Sequence, residues 1–142
     1  MAAEAATLRQ LPGVGAIVTF SGLCRDEGGR LAALELEHYP GMAEAEIARI
    51  AEDAASRWPL AGLTVVHRTG MIAVGDDIVL VATASAHRGD AFAAATFIMD
   101  YLKTRAPFWK KEHPAGAEPG GWLAAHEADE HTTDRWQRSP KK

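Results

Sequence analysis

Hydrophobic positions recur along this chain with two different periods, and the switches between them mark its elements. Gly13 to Gly22, GVGAIVTFSG, is an apolar, β-branched run bounded by glycines, which predicts a buried strand. Leu31 to Tyr39, LAALELEHY, sets Leu34, Leu36 and His38 against Glu35 and Glu37. That period of two predicts a strand with one wet face. Gly28 and Gly29 lie between the two runs, and a hairpin across that glycine loop is expected. From Pro40 to Trp58 the period lengthens. Ala43, Ile47, Ile50, Ala54 and Trp58 recur every three or four residues, with Glu44, Glu46, Glu52 and Asp53 mostly on the wet side. This predicts an amphipathic helix with Pro40 in its first turn and Pro59 as its stop.

The second half repeats the scheme. Leu63 to Arg68 and Ile78 to Ala86 read as strands separated by a turn at Gly75-Asp76-Asp77. Asp90 to Arg105 reads as a helix whose buried stripe is Phe92, Ala95, Met99 and Leu102. Beyond Pro107, HPAGAEPGG is a loop, WLAA a short strand, the acidic segment to Trp136 helical, and SPKK a frayed tail. The order β-β-α-β-β-α predicts an α+β fold, a largely antiparallel sheet with helices packed on one face. At 142 residues, with no internal repeat or low-complexity linker, a single domain over 1–142 is expected.

Composition narrows the function classes. An apolar fraction of 47% and a charged fraction of 24% are ordinary for a globular protein. The net charge of −4 gives no general attraction to nucleic acid, so none is expected as partner. No apolar run reaches the roughly 18 residues of a membrane span, and the N-terminus lacks a secretory signal. Cys24 is the one cysteine, which excludes an internal disulfide and fits a reducing cytoplasm. The histidines are scattered without zinc-site spacing, and no metal is expected. Neither a phosphate-binding glycine loop nor a GxSxG elbow is present.

Against this acidic background, Met99–Glu112 reverses the sign locally. MDYLKTRAPFWKKE holds Lys103, Arg105, Lys110 and Lys111 around Pro107 and two aromatics. Pro107 cannot continue a helix, so the chain breaks between Lys103 and Lys110. If it folds back, the two ammonium groups converge, and crowding and desolvation then favour the neutral, chemically useful form. His87-Arg88-Gly89 stands at a helix start, where unpaired N–H groups and the dipole favour an anion. Arg25 follows the first strand. Each feature also has a plain reading: Lys103 as complement to a helix C-terminus, Lys110–Lys111 as a solvated face, Arg88 as a surface residue, Arg25 in a loop salt bridge. Cys24 has no local base and is not proposed as a nucleophile.

In combination, TFSGLCRDEGG, LELEHYPGMAE, RWPLAGLTVVHRTGMIAVGD and SAHRGDAFAAATFIMDYLKTRAPFWKKE resemble the catalytic (large) subunit family of molybdopterin synthase, from about Thr19 to Glu112. The resemblance implies an α/β hammerhead-type fold and a homodimer carrying one small ubiquitin-like sulfur-carrier subunit at each end. The carrier's C-terminal Gly-Gly thiocarboxylate would deliver sulfur to cyclic pyranopterin monophosphate, forming the molybdopterin dithiolene with no metal or organic cofactor. By the same resemblance, Lys103 and Lys110 match the catalytic lysines and Arg25 a pocket arginine, with the aromatic Phe20 nearby. His87 and Arg88 match the pair that contacts the substrate phosphate from the other protomer, and Met99 and Pro107 match pocket wall. His126 stands where the family often has a basic residue such as arginine. Two other classes remain open at this stage. One is a partner-binding module without chemistry. The other is a metal-independent phosphoester hydrolase using the His–Arg and Lys pairs.

Overall fold

In a computed structural model of the chain, the described residues are 5–26, 31–38, 41–105, 108–116, 118 and 121–122. They form two three-stranded antiparallel sheets, two long helices and a short 3₁₀ helix. The strands are β1 (Ala16–Leu23), β2 (Leu31–His38), β3 (Leu60–His67), β4 (Gly70–Ala73), β5 (Asp77–Ser85) and β6 (Phe108–Pro114). The helices are α1 (Met42–Arg57) and α2 (Arg88–Arg105), and the 3₁₀ helix is Thr7–Gln10. One sheet has the order β1-β5-β3, the other β4-β2-β6.

The expected β1–β2 hairpin does not form. β1 pairs antiparallel with β5, from Ala16 opposite Ser85 to Leu23 opposite Asp77, and β2 pairs with β4 and β6. The reason lies in the patterns themselves. β5 is buried from Val79 to Ser85, on both faces, and so takes the centre of its sheet, with β1 along one edge and β3 along the other. The strict alternation of β2 belongs in a sheet with one wet face. There Leu34 and Leu36 join Ile72 and Cys24 in a small cluster, while Ala33, Glu35 and Glu37 point the other way.

The main core lies between the β1-β5-β3 sheet and the helices. Val79 and Val81 of β5 meet Ile50 and Ala54 of α1 and Ala95, Phe97, Ile98, Tyr101 and Leu102 of α2. On the sheet's other face, Leu8 of the 3₁₀ helix covers Ala82 and Ala84. Both long helices therefore pack on one face, as expected. α1 uses its predicted stripe. It starts at Met42 behind Gly41, whose φ of 80° a residue with a side chain adopts at a cost; Pro40 lies outside the described residues.

α2 departs from its predicted stripe. Phe92 is 59% exposed, and the buried positions are Ala91, Ala94, Ala95, Phe97, Ile98, Tyr101 and Leu102. This helix is apolar on nearly every side, so periodicity alone does not select the face. Small alanines take the close sheet contact, and Phe97 reaches sideways to α1. Its ring sits edge-on to Trp58 (centroids 5.4 Å apart), and the Arg57 guanidinium lies 4.7 Å above it. β4 and β6 were not foreseen: β4 has four residues, and β6 carries no alternation. Of the WLAA strand and the helix read up to Trp136, Trp122 alone is among the described residues. No helix among the described residues is long and apolar enough to cross a membrane. Phe97→Ala removes the ring that joins the two helices and should cost about 3–5 kcal/mol. Denaturant unfolding measures this as a lower midpoint at unchanged slope.

Candidate functional site

The direction of α2 decides which basic residues can meet. β5 runs from Asp77 to Ser85, and α2 starts three residues later. The Thr83 hydroxyl donates to the Ala91 carbonyl at 2.7 Å, which pins the helix N-terminus over the far end of β5. The helix then runs back, bringing Tyr101 and Leu102 into the cluster that holds Val79. Lys103, in the last turn, therefore lies at the end of the sheet where β5 begins. β1 ends there as well, since Leu23 pairs with Asp77.

Arg25 is anchored at this same end. The Cys24 N–H donates to the Asp76 carbonyl at 2.9 Å, and the Gly75 N–H donates to the Cys24 carbonyl at 2.8 Å. Two residues on, the Asp26 carboxylate accepts the Leu31 N–H at 3.3 Å, closing the base of the loop. Arg25 is exposed between these fixed points. Cys24 itself is 1% exposed and packs with Leu36 and Ile72, so it is the hinge between the two sheets. Burial pushes its thiol up, Asp76 and Asp26 push the same way, and a backbone hydrogen bond at Leu34 opposes them. A thiol raised in this way is a poor nucleophile.

Phe20 and Met99 form the flank next to Lys103. Phe20 stands opposite Val81 and is 42% exposed. Its ring lies over Gly22, where an added Cβ would come 3.4 Å from the ring edge and 2.7 Å from Val79. The FxGxxR spacing thus has a local cause: the glycine lets the aromatic lie flat, and the arginine follows the strand end. α1 packs on β3, while α2 packs on β5 and β1. Phe97 and Tyr101 take the α1 side of α2, so half-buried Met99 and exposed Lys103, one turn apart, take the β1 side.

Lys110 reaches this region from the second sheet. It pairs with Leu36, so both side chains share a face, the one Leu36 uses to meet Cys24 and Ile72. Lys110 is half-buried there. Pro107, expected as pocket wall and as the break between the lysines, lies outside the described residues, as does His126. Lys111 points to the opposite face and holds its ammonium 4.6 Å from the Trp122 ring centroid.

His87 and Arg88 are not part of this group within one chain. Both are exposed at the start of α2, near Ser85. Fifteen helical residues separate Arg88 from Lys103, about 22 Å along the axis. Among the described residues, Arg25 and Lys103, with Lys110 from the second sheet, therefore lie toward one end of the β1-β5-β3 sheet, and His87 and Arg88 toward the other. Among the described residues no group of three or more His, Cys, Asp or Glu side chains is arranged to hold a metal ion.

Residues 1–105 match the MoaE protein family, a span that takes in Phe20, Arg25, His87, Arg88, Met99 and Lys103. The chain belongs to the MoaE family. It is 64% identical to the molybdopterin synthase catalytic subunit of Mesorhizobium japonicum over 98% of this chain and 88% of that one. It is 62% identical to the protein of the same name from Brucella melitensis, over 90% and 78% of the two chains. The structure resembles the molybdopterin biosynthesis MoaE protein of Burkholderia ambifaria with a TM-score of 0.80, at 46% identity, covering 98% of this chain and 92% of that one. For a MoaE chain, sequence reasoning missed Gly22 as the floor under Phe20, although the glycine was visible in the motif. It also missed the strand that carries Lys110.

The burial of Cys24 has a direct consequence. At mildly alkaline pH a water-soluble thiol reagent should modify the folded protein far more slowly than the unfolded chain, and modification should track unfolding. Rapid stoichiometric reaction of the folded protein would contradict the placement of Cys24 in the hinge.

Proposed function

We propose that this MoaE chain transfers sulfur from the thiocarboxylated C-terminal Gly-Gly tail of a small ubiquitin-like carrier protein to cyclic pyranopterin monophosphate, in the cytoplasm. The product is the molybdopterin dithiolene. What supports the reading is that Arg25, at the exit of β1, and Lys110, opposite Leu36, stand on either side of the Cys24 joint, with Lys103 at the same end of the sheet, in a chain of this family. Opening a cyclic phosphate and forming carbon–sulfur bonds from an acyl sulfur both place negative charge on oxygen. Arg25 and Lys103 are exposed and Lys110 half-buried in the free chain, so a bound carrier tail and substrate must exclude the water before these cations stabilise that charge most strongly.

Each residue then has a role. Lys110 assists at the thiocarboxylate carbonyl, by proton transfer or by its charge. Lys103 holds the carrier tail beside it. Arg25 binds the pterin substrate, with Phe20, Met99 and Pro107 as wall. His87 and Arg88 bind the phosphate from a second protomer of a homodimer, because within one chain they stand at the far end of the sheet. A carrier on each catalytic chain makes the assembly a heterotetramer. No resident metal or organic cofactor enters this scheme; the pterin is the substrate.

Family membership weighs against a partner-binding module without chemistry. A phosphoester hydrolase would release phosphate without any carrier. The test is incubation with thiocarboxylated carrier and cyclic pyranopterin monophosphate, following dithiolene formation. Lys110→Ala should lower the rate about 10²–10⁴-fold, the usual range for a lost general acid or base, with the unfolding midpoint little changed. Near-native product formation by that variant removes Lys110 from the chemistry.

A further inference from the structure

The register of β6 decides what Lys110 can do, and the strand's own pattern specifies it poorly. Successive side chains on a strand alternate faces, so a slip of one residue exchanges Lys110 for Lys111 on the site face. The row at positions 108, 110 and 112 reads Phe, Lys, Glu, and the row at 109, 111 and 113 reads Trp, Lys, His. Neither is an apolar row that burial would hold in place. Among the described residues β6 pairs with β2 alone, at the edge of its sheet. The β2–β6 ladder also has an irregularity between Leu31 and Ala33, where the spacing on the two strands differs by one residue. A bulge of that kind can absorb a slip.

A side-chain bond across the strands opposes the slip, as does the Lys111 contact with Trp122. Glu35 stands opposite Lys111, and His113 stands opposite Ala33, at the irregularity. His113 Nε2 lies 3.0 Å from Glu35 Oε1 across the strands, with both side chains about three-quarters covered. A carboxylate offers only acceptors, so the ring nitrogen donates; the bond holds with a neutral or a charged imidazole. Lys111, which directly faces Glu35, places its ammonium over the Trp122 ring. The imidazole bond is therefore the diagonal tie between the strands on this face. A one-residue slip would turn His113 to the opposite face and break it.

We propose that Glu35 and His113 are positioning residues: their cross-strand bond fixes the register of β6 and so keeps Lys110, rather than Lys111, on the face where Leu36 meets Cys24 and Ile72. The register claim stands on the geometry, and its catalytic consequence rests on the role proposed for Lys110. Glu35 and His113 do not touch substrate in this scheme.

The experiment separates the two. In isotope-labelled full-length protein, cross-strand backbone NOEs between Leu36 and Lys110 report the register without reference to activity. His113→Ala, and Glu35→Ala from the other strand, should weaken the Leu36–Lys110 contact and give a second set of β6 resonances in which Leu36 meets Lys111 or Trp109. His113→Gln, which keeps an N–H donor, should restore the parental pattern, and Lys111→Ala should leave it intact. At saturating carrier, the alanine variants should lose roughly 10- to 100-fold in kcat, as expected of a displaced catalytic group. The loss should appear in kcat more than in KM, and His113→Gln should recover it. If both alanine variants keep the parental Leu36–Lys110 contact, the positioning role is overturned. A shifted register with parental turnover would support the lock and overturn the assignment of Lys110 instead. If one alanine variant does not fold, the other reads the same contact from the opposite strand.

Discussion

Two buried hydroxyls at the end of β5 set the geometry on which the rest depends. Thr83 and Ser85 are fully enclosed, and enclosed hydroxyls must find partners. Thr83 donates to the Ala91 carbonyl at 2.7 Å, and Ser85 to the Pro59 carbonyl at 2.9 Å. The first bond folds α2 back over the strand it has just left, and the second holds the entry to β3 beside the same corner. Because the strand and helix are both long and run in opposite senses, residues at their junction are held far from residues at their free ends. His87 and Arg88 belong to the junction, Lys103 to a free end. The separation is built into the packing of the core and not into a loop that could rearrange.

At the free end the two sheets meet through Cys24 and its backbone bonds to the β4–β5 turn. Three parts of the chain end near this joint. Arg25 comes from the exit of β1, Lys103 from the last turn of α2 and Lys110 from β6. Phe20 and Met99 supply apolar surface beside them, and Gly22 makes room for the Phe20 ring. Cations flanked by apolar side chains at one end of the sheet suit the anionic, ring-containing substrate proposed above. They leave the phosphate contacts to be supplied from elsewhere.

Much of this was legible in the sequence, and the failures have physical causes. The α1 stripe and the alternation of β2 followed from periodicity, because burial of one face imposes it, and β1, β3 and β5 from apolar, β-branched runs. The β1–β2 hairpin was wrong because glycine spacing speaks to local turns. β5, buried on both faces, takes the centre of one sheet with β1 and β3 at its edges, and β2 takes the centre of the other. Phe92 was misassigned because α2 is apolar around most of its circumference. β6 was invisible because Phe108–Pro114 alternates in neither hydrophobicity nor shape; its place comes from pairing with β2, a partner more than seventy residues away by the Glu35–His113 tie. The candidate residues Phe20, Arg25, His87, Arg88, Met99, Lys103 and Lys110 were all named from the sequence. Their division into two groups was implied by the family resemblance, which gives His87 and Arg88 to the other protomer, but their places at opposite ends of a sheet were not, since no local pattern encodes the direction of a helix over a sheet.

The central claim is that one active site draws its lysines from one protomer and its phosphate-binding pair from another. Mixed dimers test it most directly. A Lys110→Ala chain and an Arg88→Ala chain, each impaired alone, are unfolded together, refolded and assayed for dithiolene formation with thiocarboxylated carrier. If the site is shared, every mixed dimer contains one site with an intact Lys110 from one chain and an intact Arg88 from the other, and activity returns well above that of either parent. If both groups serve the same chain's site, every site in the mixture stays damaged, and activity that merely averages the two variants contradicts the account.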